Sequence, residues 1–194
     1  KMINIPGDGK FDQGTYISPV ELQVGRVDFY DMPRFKDYDS KITEQDLLWR
    51  YLDKDHAFRT RMFGAQRRGL IDDQFYNSYG DNYAAGSWGS FITLGGAANI
   101  KDSYQNTHIF KDNRATPFMF AHAGGSGSQT SSGDIINTDD FANPLMTYNF
   151  VFTCIFGSYH GNWDHQNNVM RAALASKGSI LTCAWSGRPY WWFH

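Results

Sequence analysis

The sequence predicts an α/β fold built on a mostly parallel sheet, and three observations predict it. Two apolar runs, 117–121 and 150–152, lead to His122 and Cys154 and then give way to Gly- and Ser-rich segments. That is how buried strands deliver a side chain to a sheet edge and release the chain into a loop. The stretch 167–177, NNVMRAALASK, reads as a helix stopped by Gly178, with a strand-like run at 179–185 behind it. Strand, helix and strand in succession make a βαβ unit, whose place is a parallel sheet.

The elements follow in order. Residues 1–19 read as a loop or linker, with a turn signal at 6–9. Residues 20–194 read as one domain, incomplete at both ends. Residues 20–24 alternate as a short strand running into a bend at Gly25. Residues 40–63 read as the first long helix, because Thr43 and Asp46 have the spacing of a capping box and Leu47, Leu48, Tyr51, Leu52, Phe58 and Met62 recur near helical spacing. Residues 69–73 read as a strand ending in two carboxylates, Asp72 and Asp73. Residues 76–89 read as a long aromatic and Gly-rich loop. A short strand is expected at 107–110, and Asn137 to Asp140 resembles a helix start. The separation of His122 from Cys154 leaves room for one crossover and a return to a neighbouring parallel strand.

Composition narrows the function classes. The 194 residues suffice for one α/β domain with a real core. A net charge of −2 gives no general attraction to nucleic acid. No apolar run approaches the ~20 residues of a membrane span. The 2 cysteines, Cys154 and Cys183, lie in apolar surroundings and do not make a disulfide framework. Aromatic residues at 16%, with many Gly, Asn and Ser, suit a secreted or surface protein that recognises extended ligands. The chain starts at Lys1 and stops just after an aromatic run, so it reads as a fragment of a larger polypeptide, whose other segments are then its expected partners.

These blocks resemble the gingipain-type cysteine peptidases of the caspase-like clan. PFMFAHAGGSGSQT resembles the strand that ends in the catalytic His of that family, and NFVFTCIFGSYHGNWD the strand that ends in its nucleophilic Cys. NNVMRAALASKGSILTCAWSGRPYWW resembles the helix, Lys-Gly step, strand and Trp-containing loop that follow, and VELQVGRVDF the strand before the long helix. The resemblance runs from about Val20 to Trp192. One departure is that Ala123, then Gly124, follows His122, where the family has Gly directly.

The resemblance implies a caspase-like three-layer sandwich and a secreted or cell-surface bacterial endopeptidase acting on polypeptides. It implies Cys154 as nucleophile, His122 as base and then general acid, and the N–H groups of Cys154 and of Ala123 or Gly124 as oxyanion donors. A strand-end carboxylate, Asp73 first and Asp72 second, would orient the imidazole. Trp185, Ser186, Tyr190 and Trp191 would wall the pocket for the residue before the scissile bond, and an acid there, such as Asp81, would select Arg or Lys. No cofactor is required, and the family allows a structural calcium. His160, Asp164 and His165 lie close together, but their spacing matches no zinc motif, and they read as loop or substrate-rim residues. The alternative is a non-catalytic surface or structural module that retains the peptidase fold.

Overall fold

The computed structural model describes residues 25–75, 83–103 and 108–185. The linker expected at 1–19 and the strand expected at 20–24 lie outside the described residues. Five strands form one sheet: β1 (Gln66–Asp73), β2 (Ile100–Ser103), β3 (Phe118–Gly124), β6 (Phe150–Phe156) and β7 (Thr182–Trp185). Their order is β2-β1-β3-β6-β7, and every pair is parallel. Two further strands, β4 (Ser131–Ser132) and β5 (Ile136–Asn137), form a short antiparallel pair beside it. Strands β3 and β6 read as nearly unbroken apolar runs because central strands of a parallel sheet are covered on both faces.

Helices flank the sheet, an arrangement consistent with a three-layer sandwich. They are α1 (Glu44–Arg59), α2 (Ala85–Gly95), α3 (Ile109–Asp112), α4 (Thr138–Ala142) and α5 (Val169–Ala175). The main core joins Leu47 of α1, Phe110 of α3, Phe141 of α4 and Ala172 of α5 to Leu70, Ala121, Ala123 and Ile155 of the sheet. A smaller cluster on the opposite face joins Phe91 and Trp88 of α2 to Ile71 and Phe120.

Local chemistry sets the helix ends. The Thr43 side chain accepts from Asp46 N, and the Asp46 carboxylate accepts from Thr43 N at 2.8 Å, the reciprocal capping box that the spacing predicts. Asn137 and Asp140 repeat it at α4, so the expected helix start is followed by a short helix. Asn168 caps α5 through bonds from the N–H groups of Met170 and Arg171. The α5 helix ends at Ala175, before the expected Lys177, where Ser176 turns extended, and Lys54 Nζ donates to the Leu174 and Ser176 carbonyls at 2.7 and 3.0 Å.

Two expectations need correction. The loop expected at 76–89 gives way to helix from Ala85 onward, and residues 76–82 lie outside the described set. The strand expected at 107–110 is a helical turn from Ile109, with Thr107 outside the described residues. The Asp72 carboxylate accepts the Phe110 N–H at 3.0 Å and Phe110 is fully buried, so the turn is fixed by a strand-end acid and the core. The strand of this region is β2, a few residues earlier.

Candidate functional site

His122 of β3 and Cys154 of β6 are directly opposite partners in adjacent parallel strands. Opposite residues in register project to one face, so imidazole and thiol stand side by side. Ile71 of β1 and Ala184 of β7 complete that row, and α2 covers its β1 side. The sequence suggests that each side chain ends its strand, but both strands run on, β3 to Gly124 and β6 to Phe156. The ladder continues through Ala123 with Ile155 and Gly124 with Phe156, and Gly125 N then donates to Phe156 O at 3.0 Å. The pair therefore lies one pleat inside the sheet. His122 has no exposed surface, and Cys154 is half-buried.

A third group joins them. Ser87, in the first turn of α2, places Oγ 2.8 Å from His122 Nδ1. Ser87 belongs to a stretch rich in Gly and aromatic residues that reads as loop, so sequence reasoning misses it. A signal was present: Ala84, Ser87, Trp88 and Phe91 recur at helical spacing.

The two strand-end acids point opposite ways. Ile71 faces the His122 side, and Asp73, two residues on, shares that face. A Cβ built on Gly124 would lie 3.0 Å from His122 Nε2 and 3.2 Å from Asp73 Oδ1. The missing side chain of Gly124 thus leaves the imidazole and the Asp73 carboxylate on either side of one small gap. Asp73 Oδ1 also accepts the Phe75 N–H at 2.9 Å. Asp72 serves the far face, where it caps α3, and burial raises its carboxyl to about 6.

Burial also governs the pair. It pushes the His122 imidazole down to about 4 and the Cys154 thiol up to about 11, the latter opposed by the nearby Ser87 hydroxyl. At pH 7 roughly one thiol in ten thousand would be ionised, so the pair rests neutral. Above it, Phe156 stacks on Tyr83 with centroids 4.5 Å apart, and Phe75 meets both rings at 5.6 and 4.7 Å. Cys183 of β7 is the register partner of Thr153, one residue before Cys154, so it faces the opposite side of the sheet.

Other expected residues take definite places. Ala123 and Gly124 are paired with β1 on one side and β6 on the other, so their N–H groups lie in the plane of the ladder. An oxyanion role for them requires the end of β3 to part from a neighbour. Trp185 ends β7 beside this region, with Nε1 donating to Gly157 O at 3.0 Å and 38% of its surface exposed. Asp81, Ser186, Tyr190 and Trp191 lie outside the described residues. His160 is fully buried with Nε2 2.9 Å from Ser131 O, while His165 is exposed and meets Gln166 O. Among the described residues no three His, Cys, Asp or Glu side chains gather as a metal site, and no helix is long and apolar enough to cross a membrane.

No family model, curated protein or solved structure matches the chain. The functional reading therefore rests on the residues themselves. They bring together a thiol, an imidazole and a hydroxyl, with a carboxylate across the Gly124 gap.

Proposed function

We propose that this chain carries the thiol–imidazole site of a cysteine endopeptidase of the gingipain type. The observation that carries the reading is the juxtaposition of His122 and Cys154 on neighbouring parallel strands, on one face. In this reading the Cys154 thiolate attacks the scissile carbonyl of a polypeptide and forms a thioester, while the bond to the leaving amine breaks. His122 holds the thiol proton and returns it to that amine, and water then releases the acyl group. Asp73 faces the imidazole from its Nε2 side. Trp185, with Ser186, Tyr190 and Trp191, walls the pocket, and Asp81 supplies a preference for basic residues. The chemistry needs no cofactor, a structural calcium is compatible with it, and the setting is secreted or on the cell surface of a bacterium.

A second reading has its own support. An imidazole with no exposed surface cannot hand a proton to a leaving amine unless part of its cover moves. That favours a surface or structural module that retains the peptidase fold without the chemistry. Labelling separates the two. The protein is treated with acyloxymethyl ketones carrying Arg or Lys, then a panel with other side chains, followed by peptide mapping. The peptidase reading expects labelling at Cys154, abolished in Cys154→Ala and slowed roughly a hundredfold or more in His122→Ala. No labelling by any probe, with Cys154 alkylated only after unfolding, would sink it and leave the module.

A further inference from the structure

Resting on that reading, we propose that Ser87 is the positioning residue of His122: its hydroxyl holds Nδ1 and fixes the imidazole proton on Nε2, so the resting imidazole has no free lone pair for the Cys154 thiol. Ser87 Oγ lies 2.8 Å from His122 Nδ1, and among the described residues this is the hydrogen bond that the hydroxyl makes. A serine inside a helix often bonds a carbonyl one turn back. Here α2 hands the hydroxyl across to the sheet instead. Ser87 is 3% exposed and His122 has no exposed surface, so neither group can turn to water for a partner.

Counting donors and acceptors assigns the proton. If the Ser87 O–H donates to Nδ1, the hydroxyl proton and the Nδ1 lone pair are both satisfied. If Nδ1–H donated to Ser87 Oγ, the buried hydroxyl proton would be left without an acceptor, which is costly in a dry site. The surroundings of Nε2 agree. Nε2 has no hydrogen-bond partner among the described residues, and it borders the Gly124 gap, with Asp73 Oδ1 on the other side. That oxygen accepts the Phe75 N–H, so it presents lone pairs. A proton on Nε2 is drawn toward it, and a lone pair there would be repelled. The proton transfer then has a defined order. The Ser87–Nδ1 bond breaks first, by movement of the Ser87 side chain or of α2. The Cys154 S–H bond then breaks and its proton joins Nδ1. The products are a thiolate and an imidazolium protonated on both nitrogens, with no other reactant consumed. Asp73 thus keeps the orienting place expected of it, and the nitrogen that Ser87 holds is the one that works. Ser87 touches neither substrate nor scissile bond, so it acts through His122.

The test is the imidazole ¹⁵N spectrum of the full chain at pH 7, with the His122 signals identified by their loss in His122→Gln. Nε2 is expected to carry the proton, and Nδ1 to show the shift of an unprotonated, hydrogen-bonded nitrogen. Ser87→Ala is expected to move Nδ1 to the shift of an unbonded nitrogen, and Ser87→Thr, which keeps a hydroxyl, to restore the wild-type pattern. Cys154 alkylation by iodoacetamide, mapped so that Cys183 is scored separately, is expected to quicken about fivefold in Ser87→Ala and to return toward wild type in Ser87→Thr. A wild-type proton on Nδ1, or an even mixture of tautomers, overturns the inference. So does a Ser87→Ala protein, folded by circular dichroism, whose Nδ1 resonance is unmoved or whose Cys154 reacts no faster than wild type. If Ser87→Ala does not fold, the wild-type spectrum and Ser87→Thr decide. None of these readouts requires peptide cleavage. A proton on Nε2 without labelling by the peptidase probes would reject the endopeptidase reading and keep the hold of Ser87 on His122, and labelling with the proton on Nδ1 would do the reverse.

Discussion

His122 and Asp72 are buried titratable groups in adjacent strands, and their burial acts on stability in opposite senses. The imidazole has a folded value near 4 against an ordinary 6.5. Between those values the unfolded chain binds a proton that the folded chain refuses. The stability from neutral His122 is therefore complete above about pH 6.5 and is lost as pH falls toward 4. Asp72 has a folded value near 6 against 3.8, chiefly from burial and against the pull of the Phe110 N–H. In that interval the folded chain holds a proton the unfolded chain has released, so acid adds stability there. Each effect is worth at most about 3 kcal/mol, and in wild type they partly cancel between pH 4 and 6. Melting curves from pH 7 to 4 should uncover both. Asp72→Asn should lose several degrees more than wild type on acidification, and His122→Gln should lose less or gain. Identical slopes in the three proteins would mean that neither group's burial governs the acid limb.

The helices differ sharply in how they are held. In α5 nearly every residue is buried, its start is capped by Asn168, and its last carbonyls bind Lys54. Lys54 reaches them from α1 and is 8% exposed, so one side chain ties two helices and closes a terminus. Lys54→Met keeps the aliphatic stem but leaves two buried carbonyls without that donor. It should lower the unfolding free energy by about 2–3 kcal/mol in urea titration. A change below about 0.5 kcal/mol would mean that water replaces the ammonium there. In α2 the sequence AGSWGSFITLG carries three glycines, no side-chain N-cap, and only Ser87 and Phe91 buried. Each interior glycine costs roughly 0.5–1 kcal/mol against alanine, so α2 is helical because Phe91 and Trp88 pack on the sheet.

That contrast sets how the protein opens. The main core unites four helices with one face of the sheet, while α2 rests on a small cluster around Ile71, Phe91 and Phe120. Local opening free energy follows buried apolar contact, so α2 should open well before the sheet unfolds. Such opening would uncover His122, Ser87 and Cys154 together. Native-state hydrogen exchange should find the amides of α2 less protected than those of α5 and β6, by about 2 kcal/mol or more. Equal protection would mean that the site opens only with global unfolding, which would strengthen the non-catalytic reading.

The sequence by itself determined the strands that carry His122 and Cys154, the helix and strand that follow them, the capping box at Thr43 and the helix start at Asn137, because these depend on neighbours within a few residues. His122 and Cys154 were legible because an apolar run leading to a polar side chain is a local pattern. Only the tertiary structure decided that they are cross-strand partners one pleat inside the sheet, since strand ends are set by what pairs across the ladder. It also decided that Asp73 shares their face while Asp72 serves α3, because alternation assigns faces only once the register is fixed. Ser87 was hidden for the same reason: α2 gets its helical stability from packing on the sheet, a term that no local propensity contains.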